Sequence, residues 1–509
     1  MANQGRLPEL AATVLQPGFV GTTAPDWVCR WLGAGLGGVA LFARNVASPG
    51  QVAALTAQLR AERPDVIVAI DEEAGDVTRL EWRHGSSRPG NLALGAIDDV
   101  ELTEAIAGEL GADLASAGIT LDYAPDADVN SNPANPVIGV RAFGAEPGLV
   151  ARHSAAFVRG VQGAGVAACA KHFPGHGDTS IDSHLDLPVI GRDRAQLAAV
   201  ELAPFRAVIA EGVQAVMTGH LLIPAYDPDL PATLSRRVLT DLLRHDLGFD
   251  GLIVTDGIEM QGVRRAYGLE GAAVRALAAG ADAICVGGGH ADEDTAIRLR
   301  DAIVAAVRAG ELSEERLQDA AARVGRLGAW TTAARTAAGA RSTAGSAVGL
   351  RAARRAIKVT RADGAADLPI SGPPHVVEFT PRSNIAVGAE TPWGLGAPLR
   401  EHLPGTTAVR LTADDVTAPA DPVPPILAAA AGRPLVLVAR DIHRHAWLAG
   451  VLHRIIGARP DAVVVEMGVP VAVVGAVHVA TYGATRACAR AAAELIAGTV
   501  VPGPRPLPA

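Results

Sequence analysis

The densest group of titratable residues in the sequence lies in the segment KHFPGHGDTSIDSHLDLP, residues 171–188. Its titratable side chains are Lys171, His172, His176, Asp178, Asp182, His184 and Asp186. Pro174, Gly175, Gly177 and Pro188 are incompatible with a continuous helix, so the pattern predicts a long loop. Long loops that carry this much titratable chemistry more often serve a site than a plain connection.

Two chemistries compete for this segment. His172 and His176 are four residues apart, which would suit a helical metal site that His184 and a carboxylate complete. Pro174 and Gly175 lie between the two histidines and disfavour that helix, so we expect no metal and no cofactor.

The second chemistry is a dyad of Asp182 and His184. Two residues apart in a turning loop, they can project to the same side. The carboxylate can then accept the imidazole N–H and orient a general acid/base that works near neutral pH. A turn stabilised by the Asp182 side chain is the alternative for this tripeptide.

Asp256, in IVTDGIEMQG, ends an apolar run and precedes Gly257, which leaves room beside the carboxylate. A carboxylate in this position can act as a nucleophile opposite a histidine acid. The alternative is that Asp256 caps the helix that follows.

The elements that must position these residues follow a regular rhythm over the first 290 residues. Short runs rich in Val, Ile and Ala alternate with helix-forming stretches, as expected of parallel strands buried on both faces. The eight runs are residues 12–19, 38–45, 66–73, 119–129, 166–175, 215–222, 252–260 and 281–288. Eight such units predict a (β/α)₈ TIM-type barrel, whose strand carboxyl ends carry the site. No glycine-rich phosphate motif follows the first run to support an open doubly wound sheet.

A second α/β pattern begins after a small, polar stretch at residues 332–348. Its apolar runs at 375–380, 408–413, 434–440 and 461–468 predict a sheet of about four to six strands with helices on both faces. We therefore expect a barrel domain over residues 1–335, a linker and connecting helix over 336–365, and a smaller α/β sandwich domain over 366–509. The Pro-rich tail 501–509 is not expected to be helical.

Composition narrows the function further. The 509 residues carry a net charge of −9, with 45 basic and 54 acidic side chains, and only 4% are aromatic. This balance disfavours nucleic acid and anionic membrane surfaces as partners. No apolar run reaches the length of a membrane span, and the N-terminus does not resemble a secretion signal. We expect a cytoplasmic protein whose four cysteines are reduced.

The segment 171–184 resembles the signature of the β-N-acetylglucosaminidases of glycoside hydrolase family 3. That signature reads K-H-F/I-P-G-x-G-x4-D-S/T-H, and every fixed position is filled here. Residues 70–80, 135–144 and 231–260 resemble further segments of this family in the same order. The resemblance is strong before residue 290 and weaker in the C-terminal α/β region.

The resemblance implies a retaining exo-β-N-acetylglucosaminidase that acts on cell-wall fragments or chitooligosaccharides. Asp256 would be the nucleophile, and His184, oriented by Asp182, the acid/base. The residues implied to hold the sugar hydroxyls are Asp71, Arg79, Arg141, Lys171 and His172.

Three alternatives stay open. A histidine acid/base would repel an incoming anion less than a carboxylate, so phosphate could replace water as acceptor. A β-glucosidase of the same family and a non-catalytic sugar-binding protein are the other two. One departure from the family pattern is Asp76, which stands where a basic residue is common. Because of this departure, the local charge near the outer part of the site is left open.

Overall fold

The computed structural model describes residues 6–338, 347–365, 367–382, 384, 386–388, 390–418 and 420–499. The first half is an α/β fold around a curled parallel sheet. Its strands are β1 (Leu15–Pro17), β2 (Gly38–Leu41), β3 (Ile67–Ile70), β4 (Leu121–Asp122), β5 (Ala167–Phe173), β6 (Ala215–Thr218), β7 (Leu252–Thr255) and β8 (Ile284–Val286). β2 to β7 form one six-stranded sheet in chain order, and β1 pairs with β8. A parallel bridge between Val254 and Ala283 joins these two groups of strands.

Twelve α-helices accompany these strands in the described part of the first half. They are α1 (Leu7–Thr13), α2 (Asp26–Gly33), α3 (Pro49–Glu62), α4 (Asn91–Ile97), α5 (Val100–Ser116), α6 (Pro147–Gly163), α7 (Arg194–Ala199), α8 (Leu202–Ala210), α9 (Gln261–Tyr267), α10 (Leu269–Ala279), α11 (Glu293–Ala309) and α12 (Glu314–Ala338). A π-helix spans Arg237–Asp246. Side-chain oxygens of Ser48, Asp99 and Asp292 accept backbone N–H groups at the starts of α3, α5 and α11, which fixes where these helices begin.

The strands are apolar on both faces because each face meets a different core. One face lines the inside of the curl with small and medium side chains such as Ala69, Cys169 and Met217. The other face packs on the helices through residues such as Val68 and Val216. The alternation of strand and helix expected from the sequence is therefore confirmed, and it leaves the strand carboxyl ends at one rim.

The second half contains a six-stranded sheet. Its strands are β9 (Lys358–Arg361), β10 (His375–Thr380), β11 (Thr407–Thr412), β12 (Leu435–Ala439), β13 (Val463–Glu466) and β14 (Val477–Ala480), in the order β11-β10-β12-β13-β14-β9. All neighbours are parallel except β14 and β9. The helices are α13 (Ala347–Ala356), α14 (Gly396–His402), α15 (Ala413–Thr417), α16 (Val423–Ala429), α17 (Ala446–Ala458) and α18 (Arg486–Ala497).

Apolar clusters lie on both faces of this second sheet. α14 and α18 pack on one face through residues such as Leu399 and Ile496. α16 and α17 pack on the other through residues such as Ile426 and Leu452. Alternating strand residues feed the two clusters, as the period of a strand requires.

Two details differ from the expected connection between the halves. α12 continues to Ala338, so residues 332–338 are helical rather than part of a small, polar linker. β9 comes from within the range 336–365 and pairs with β14, where it adds the antiparallel edge. Alanine-rich sequence has high helix propensity, which explains the longer helix. Residues 339–346 and the tail 501–509 lie outside the described residues, and the domain boundaries stay a prediction.

Direct contacts join the two halves next to the strand carboxyl ends. Asp76 accepts from Arg440 at 2.5 Å and from the backbone N–H of Ala484 at 2.8 Å. Arg486 donates to Glu81 at 2.8 Å. No helix in the described ranges is long and apolar enough to cross a membrane.

Candidate active site

A cavity of about 220 Å³ opens at the carboxyl ends of the first-half strands. Seven of the eight residues singled out in the sequence line it: Asp71, Arg79, Arg141, Lys171, His172, His184 and Asp256. Asp182 stands behind His184 and does not line the cavity. The structure therefore brings together residues that are up to 185 positions apart in the chain, as the interval from Asp71 to Asp256 shows (256 − 71 = 185).

Asp256 follows the last residue of β7 and accepts the backbone N–H of Gly257 at 2.7 Å. Burial alone would raise its pKa, but His172, His220, His184 and the Gly257 N–H outweigh burial and lower the pKa to about 2. Asp256 does not cap a helix, since α9 begins at Gln261 with Met260 at the capping position. The carboxylate is thus ionised, and it faces the cavity.

His184 and Asp182 form the close pair expected of a dyad. Asp182 Oδ1 lies 2.7 Å from His184 Nδ1 and also accepts the His184 backbone N–H at 2.9 Å. The turn and the dyad considered from the sequence are therefore two aspects of one arrangement. Burial lowers the pKa of His184, but the hydrogen bond to Asp182 and the charge of Asp256 outweigh it, so the pKa is raised. His184 can hold a proton in the cavity near neutral pH.

A chain of alternating charges forms the floor of the cavity. Lys171 Nζ lies 2.6 Å from Asp71 Oδ1 and 2.8 Å from Glu73 Oε1. Arg141 binds Glu73 with two parallel hydrogen bonds of 2.9 and 2.8 Å. Burial would raise the pKa of Glu73, but Arg141 and Lys171 outweigh burial and hold it well below its usual value. Charged groups fixed in this way can make directional hydrogen bonds to neutral hydroxyls.

Glu73 is the residue that sequence reasoning missed at this floor. It lies at the end of the same strand run as Asp71 and is almost fully buried. The available signal was a third consecutive acidic residue after an apolar strand, since Asp71, Glu72 and Glu73 are adjacent. A buried carboxylate in such a run requires cationic partners, and the sequence offers Lys171 and Arg141 at neighbouring strand ends.

His172 is oriented from below by a buried carboxylate that the sequence did not single out. Asp128 Oδ2 lies 2.7 Å from His172 Nδ1, and Asp128 Oδ1 accepts the His176 backbone N–H at 2.6 Å. Asp126 lies beside Asp128, and its Oδ2 is 3.6 Å from an Arg141 nitrogen. His172 lines the cavity, and its Nε2 lies 3.4 Å from Arg141 Nη2.

The helical metal site considered for His172 and His176 does not form. His172 belongs to β5, while both ring nitrogens of His176 lie near hydroxyls, at 2.9 Å from Thr179 Oγ1 and 3.0 Å from Ser183 Oγ. Asp126, Asp128 and His172 lie close enough to share a cation. In this group Asp128 and His172 already bind each other.

The second half contributes to the cavity wall. Ala386 lines the cavity, and its carbonyl oxygen accepts from Arg79 Nη2 at 2.9 Å. Asn384 donates to the carbonyl of Val137 at 2.8 Å, on a segment that also lines the cavity. Sequence reasoning could not foresee this contribution, because residues 384–386 carry no pattern that pairs them with the first half.

The remaining lining residues include Glu259 and Met260. His220 is fully buried and lies 2.9 Å from Thr233 Oγ1 and 3.0 Å from the Gly257 carbonyl. It does not line the cavity. It fixes the backbone next to Asp256 instead.

A curled parallel α/β sheet with carboxylates and histidines gathered at its strand carboxyl ends is the arrangement of barrel-type hydrolases. The family model "Glycosyl hydrolase family 3 N terminal domain" matches residues 28–327. The chain therefore belongs to glycoside hydrolase family 3.

Individual relatives agree with this assignment. The chain is 35% identical over 317 residues to a β-hexosaminidase A of Pseudoalteromonas piscicida, which covers 57% of this chain and 53% of that protein. It is 40% identical over 266 residues to a β-hexosaminidase of Neisseria meningitidis, which covers 50% of this chain and 73% of that protein. The chain thus spans about half the length of the first of these curated relatives.

A solved structure matches both halves together. The family 3 β-N-acetylglucosaminidase from Paenibacillus sp. FPU-7 superposes with a TM-score of 0.85 at 35% identity and covers 97% of both chains. The arrangement of the two halves is therefore shared with a solved family member, and the resemblance noted in the sequence is confirmed.

Proposed function

We propose that the chain is a retaining exo-β-N-acetylglucosaminidase with Asp256 as nucleophile and the Asp182–His184 pair as acid/base. The observation that carries the proposal is the shared cavity, where an ionised buried carboxylate and a histidine of raised pKa meet. We infer the sugar from the names of the relatives, which are β-hexosaminidases and a β-N-acetylglucosaminidase.

In the first step Asp256 attacks the anomeric carbon, and the protonated His184 donates its proton to the leaving oxygen. The bond to that oxygen breaks, and a glycosyl-enzyme forms on Asp256. In the second step His184 takes a proton from water, whose oxygen attacks the anomeric carbon and releases Asp256. Asp182 stabilises the imidazolium and keeps Nδ1 protonated in both steps.

Asp71, Lys171, Arg141 and His172 would hold the hydroxyls of the terminal sugar against the cavity floor. Arg79 would contribute at the wall, next to Ala386. The small cavity favours one sugar unit at a chain end, which supports an exo mode of action. The curled sheet is then a (β/α)₈ barrel, and the second half an α/β sandwich domain that completes the cavity wall.

Phosphate as the acceptor is the second candidate, and the chemistry of His184 favours it. After donating its proton His184 is neutral, so an anionic acceptor meets less repulsion than a second carboxylate would impose. Cell-wall fragments and chitooligosaccharides both remain within the proposal as natural substrates, and the predicted cytoplasmic location stays a prediction.

The test is turnover of the 4-nitrophenyl β-glycosides of GlcNAc and of glucose, with and without phosphate. We expect a strong preference for GlcNAc, and we expect Asp256→Ala to lose activity by about 10⁴-fold or more, as when other catalytic nucleophiles are removed. Asp414→Ala, at an exposed aspartate of the second half, is the matched control and should behave as wild type.

Three results would change the assignment. Preference for glucose would make the chain a β-glucosidase. GlcNAc-1-phosphate as the main product in phosphate buffer would make it a phosphorylase. An Asp256→Ala variant with wild-type turnover would remove the proposed nucleophile.

A further inference from the structure

Ser183, between the two residues of the dyad, lines the cavity and is almost fully buried. Its one hydrogen-bond partner among the described residues is His176, at 3.0 Å from Nε2 to Oγ. A serine hydroxyl carries one proton and can also accept. Which of the two groups donates therefore decides whether Ser183 has a proton left for a ligand.

The hydrogen bonds behind His176 begin at Asn135, which is buried. Asn135 Oδ1 accepts the backbone N–H groups of Val137 and Ile138, both at 2.9 Å. Backbone N–H groups can only donate, so the other end of the Asn135 side chain is its NH₂ group. This NH₂ group lies 2.8 Å from the His176 carbonyl oxygen, 3.1 Å from the Gly177 carbonyl oxygen and 3.3 Å from Thr179 Oγ1, so the two carbonyl groups are the nearest acceptors of its two protons.

The Thr179 hydroxyl has one proton to give. Its oxygen lies 2.9 Å from His176 Nδ1 and 3.2 Å from the His176 carbonyl oxygen. Nδ1 can accept this proton, or it can donate its own proton to the Thr179 hydroxyl while the carbonyl oxygen accepts. Burial lowers the pKa of His176 to about 4, so the ring is neutral and carries a single N–H. If that N–H lies on Nε2, Ser183 Oγ accepts it and keeps its own proton; if it lies on Nδ1, Ser183 donates to Nε2 and keeps its lone pairs. In either tautomer the Ser183 hydroxyl has one hydrogen-bonding role left for a ligand.

We propose that Ser183 is a further substrate-binding residue, whose hydroxyl binds His176 on one side and makes a hydrogen bond to a hydroxyl group of the ligand in the cavity on the other. The ligand identity in this inference rests on the proposed function.

The test compares Ser183→Ala, Ser183→Thr and Ser154→Ala with wild type on 4-nitrophenyl β-GlcNAc. Ser154 is a buried serine without a hydrogen-bond partner in the described structure and is the matched control. We expect kcat/KM to fall about tenfold in Ser183→Ala, the scale of one lost hydrogen bond. Ser183→Thr keeps the hydroxyl and should restore most of the activity, while Ser154→Ala should match wild type.

The pH profile separates direct contact from an effect through His184. If Ser183 contacts the ligand directly, the alkaline limb of kcat/KM in Ser183→Ala stays at its wild-type pH. If the substitution displaces the dyad instead, this limb moves. Each of three results would overturn the inference. The alkaline limb moves in Ser183→Ala, the kcat/KM of Ser183→Ala lies within twofold of wild type, or Ser183→Thr fails to restore activity.

Binding of GlcNAc itself, measured by calorimetry on the same variants, keeps this result apart from the proposed function. If wild type binds GlcNAc but does not turn over the glycoside, the catalytic proposal fails, and Ser183 is judged by affinity alone. Weaker GlcNAc binding in Ser183→Ala but not in Ser154→Ala supports a direct contact between Ser183 and the ligand. Binding of GlcNAc by Ser183→Ala that equals wild type overturns it.

Discussion

Two segments meet across the cavity, and they are anchored differently. The β3 segment, residues 71–88, makes hydrogen bonds to the second half through Asp76, Arg79 and Glu81. The β5 segment, residues 174–192, carries the dyad. In the described structure its hydrogen bonds run to first-half residues such as Asn135 and Glu201.

The difference separates two tasks of the site. The sugar-binding side lies at the junction of the halves, so its geometry depends on both. In the described residues, the hydrogen bonds that hold the acid/base side run within the first half. Changes at the junction should therefore alter KM, whereas changes in the β5 segment should alter kcat.

Of the changes that compare the two segments, His184→Ala in the β5 segment should have the largest effect. Loss of the general acid/base should lower kcat by about 10²–10⁴-fold, with KM for 4-nitrophenyl β-GlcNAc changed little. His453→Ala, at an exposed histidine of α17, is the control. An unchanged kcat would show that another group supplies the proton.

A large effect on stability is expected from Glu73→Gln in the β3 segment. The change leaves Lys171 and Arg141 buried with less compensation, and removal of one member of a buried ion pair typically costs about 3–5 kcal/mol. Urea unfolding measures the free energy, and Glu101→Gln at an exposed site is the control. A loss below about 1 kcal/mol would mean that the cationic pair relaxes or is hydrated.

The pH dependence of kcat/KM should be set on its alkaline side by His184. Its raised pKa means that the protonated acid persists above the usual pKa of histidine and that activity falls as the pH rises through the raised value. Asp256, with a pKa of about 2, stays ionised above that pH.

Asp182→Asn removes the main favourable partner of the His184 imidazolium, so the alkaline limb should move to lower pH. A shift of one unit would cost about tenfold at alkaline pH. If the alkaline limb of kcat/KM does not move in this variant, Asp182 does not raise the pKa of the group that sets this limb.

The smallest effects are expected at the junction itself. Arg440→Met leaves the buried Asp76 without its charged partner and should raise KM several-fold while kcat stays near wild type. Arg486→Met breaks the more exposed pair with Glu81, and such pairs contribute about 0–1 kcal/mol. Equal effects of the two variants on KM would contradict the assigned role of Asp76.

Much of this architecture could be read from the sequence, because buried parallel strands leave near-continuous apolar runs. The polar residues that end those runs, such as Asp71, Lys171 and Asp256, were found for the same reason. Strand β9 was not foreseen, since its sequence KVTR is short and polar and its pairing with β14 is set by tertiary contacts.

The site residues that escaped detection had a weak local signal or none. Asp128 binds other side chains and does not line the cavity, and a lone buried carboxylate looks like any strand-end acid. Glu73 does line the cavity, but its only signal was its place in a run of three acids. Ala386 contributes a backbone carbonyl oxygen, which a pattern of side chains in the sequence cannot predict.

The contact at Asp76 has a consequence for domain exchange. Its carboxylate accepts from the Arg440 side chain and from the backbone of Ala484, two separate places in the second half. A second half transplanted from another family member would seat correctly only if it presents both donors at once. We therefore expect Asp76 to determine which second halves are compatible with this first half.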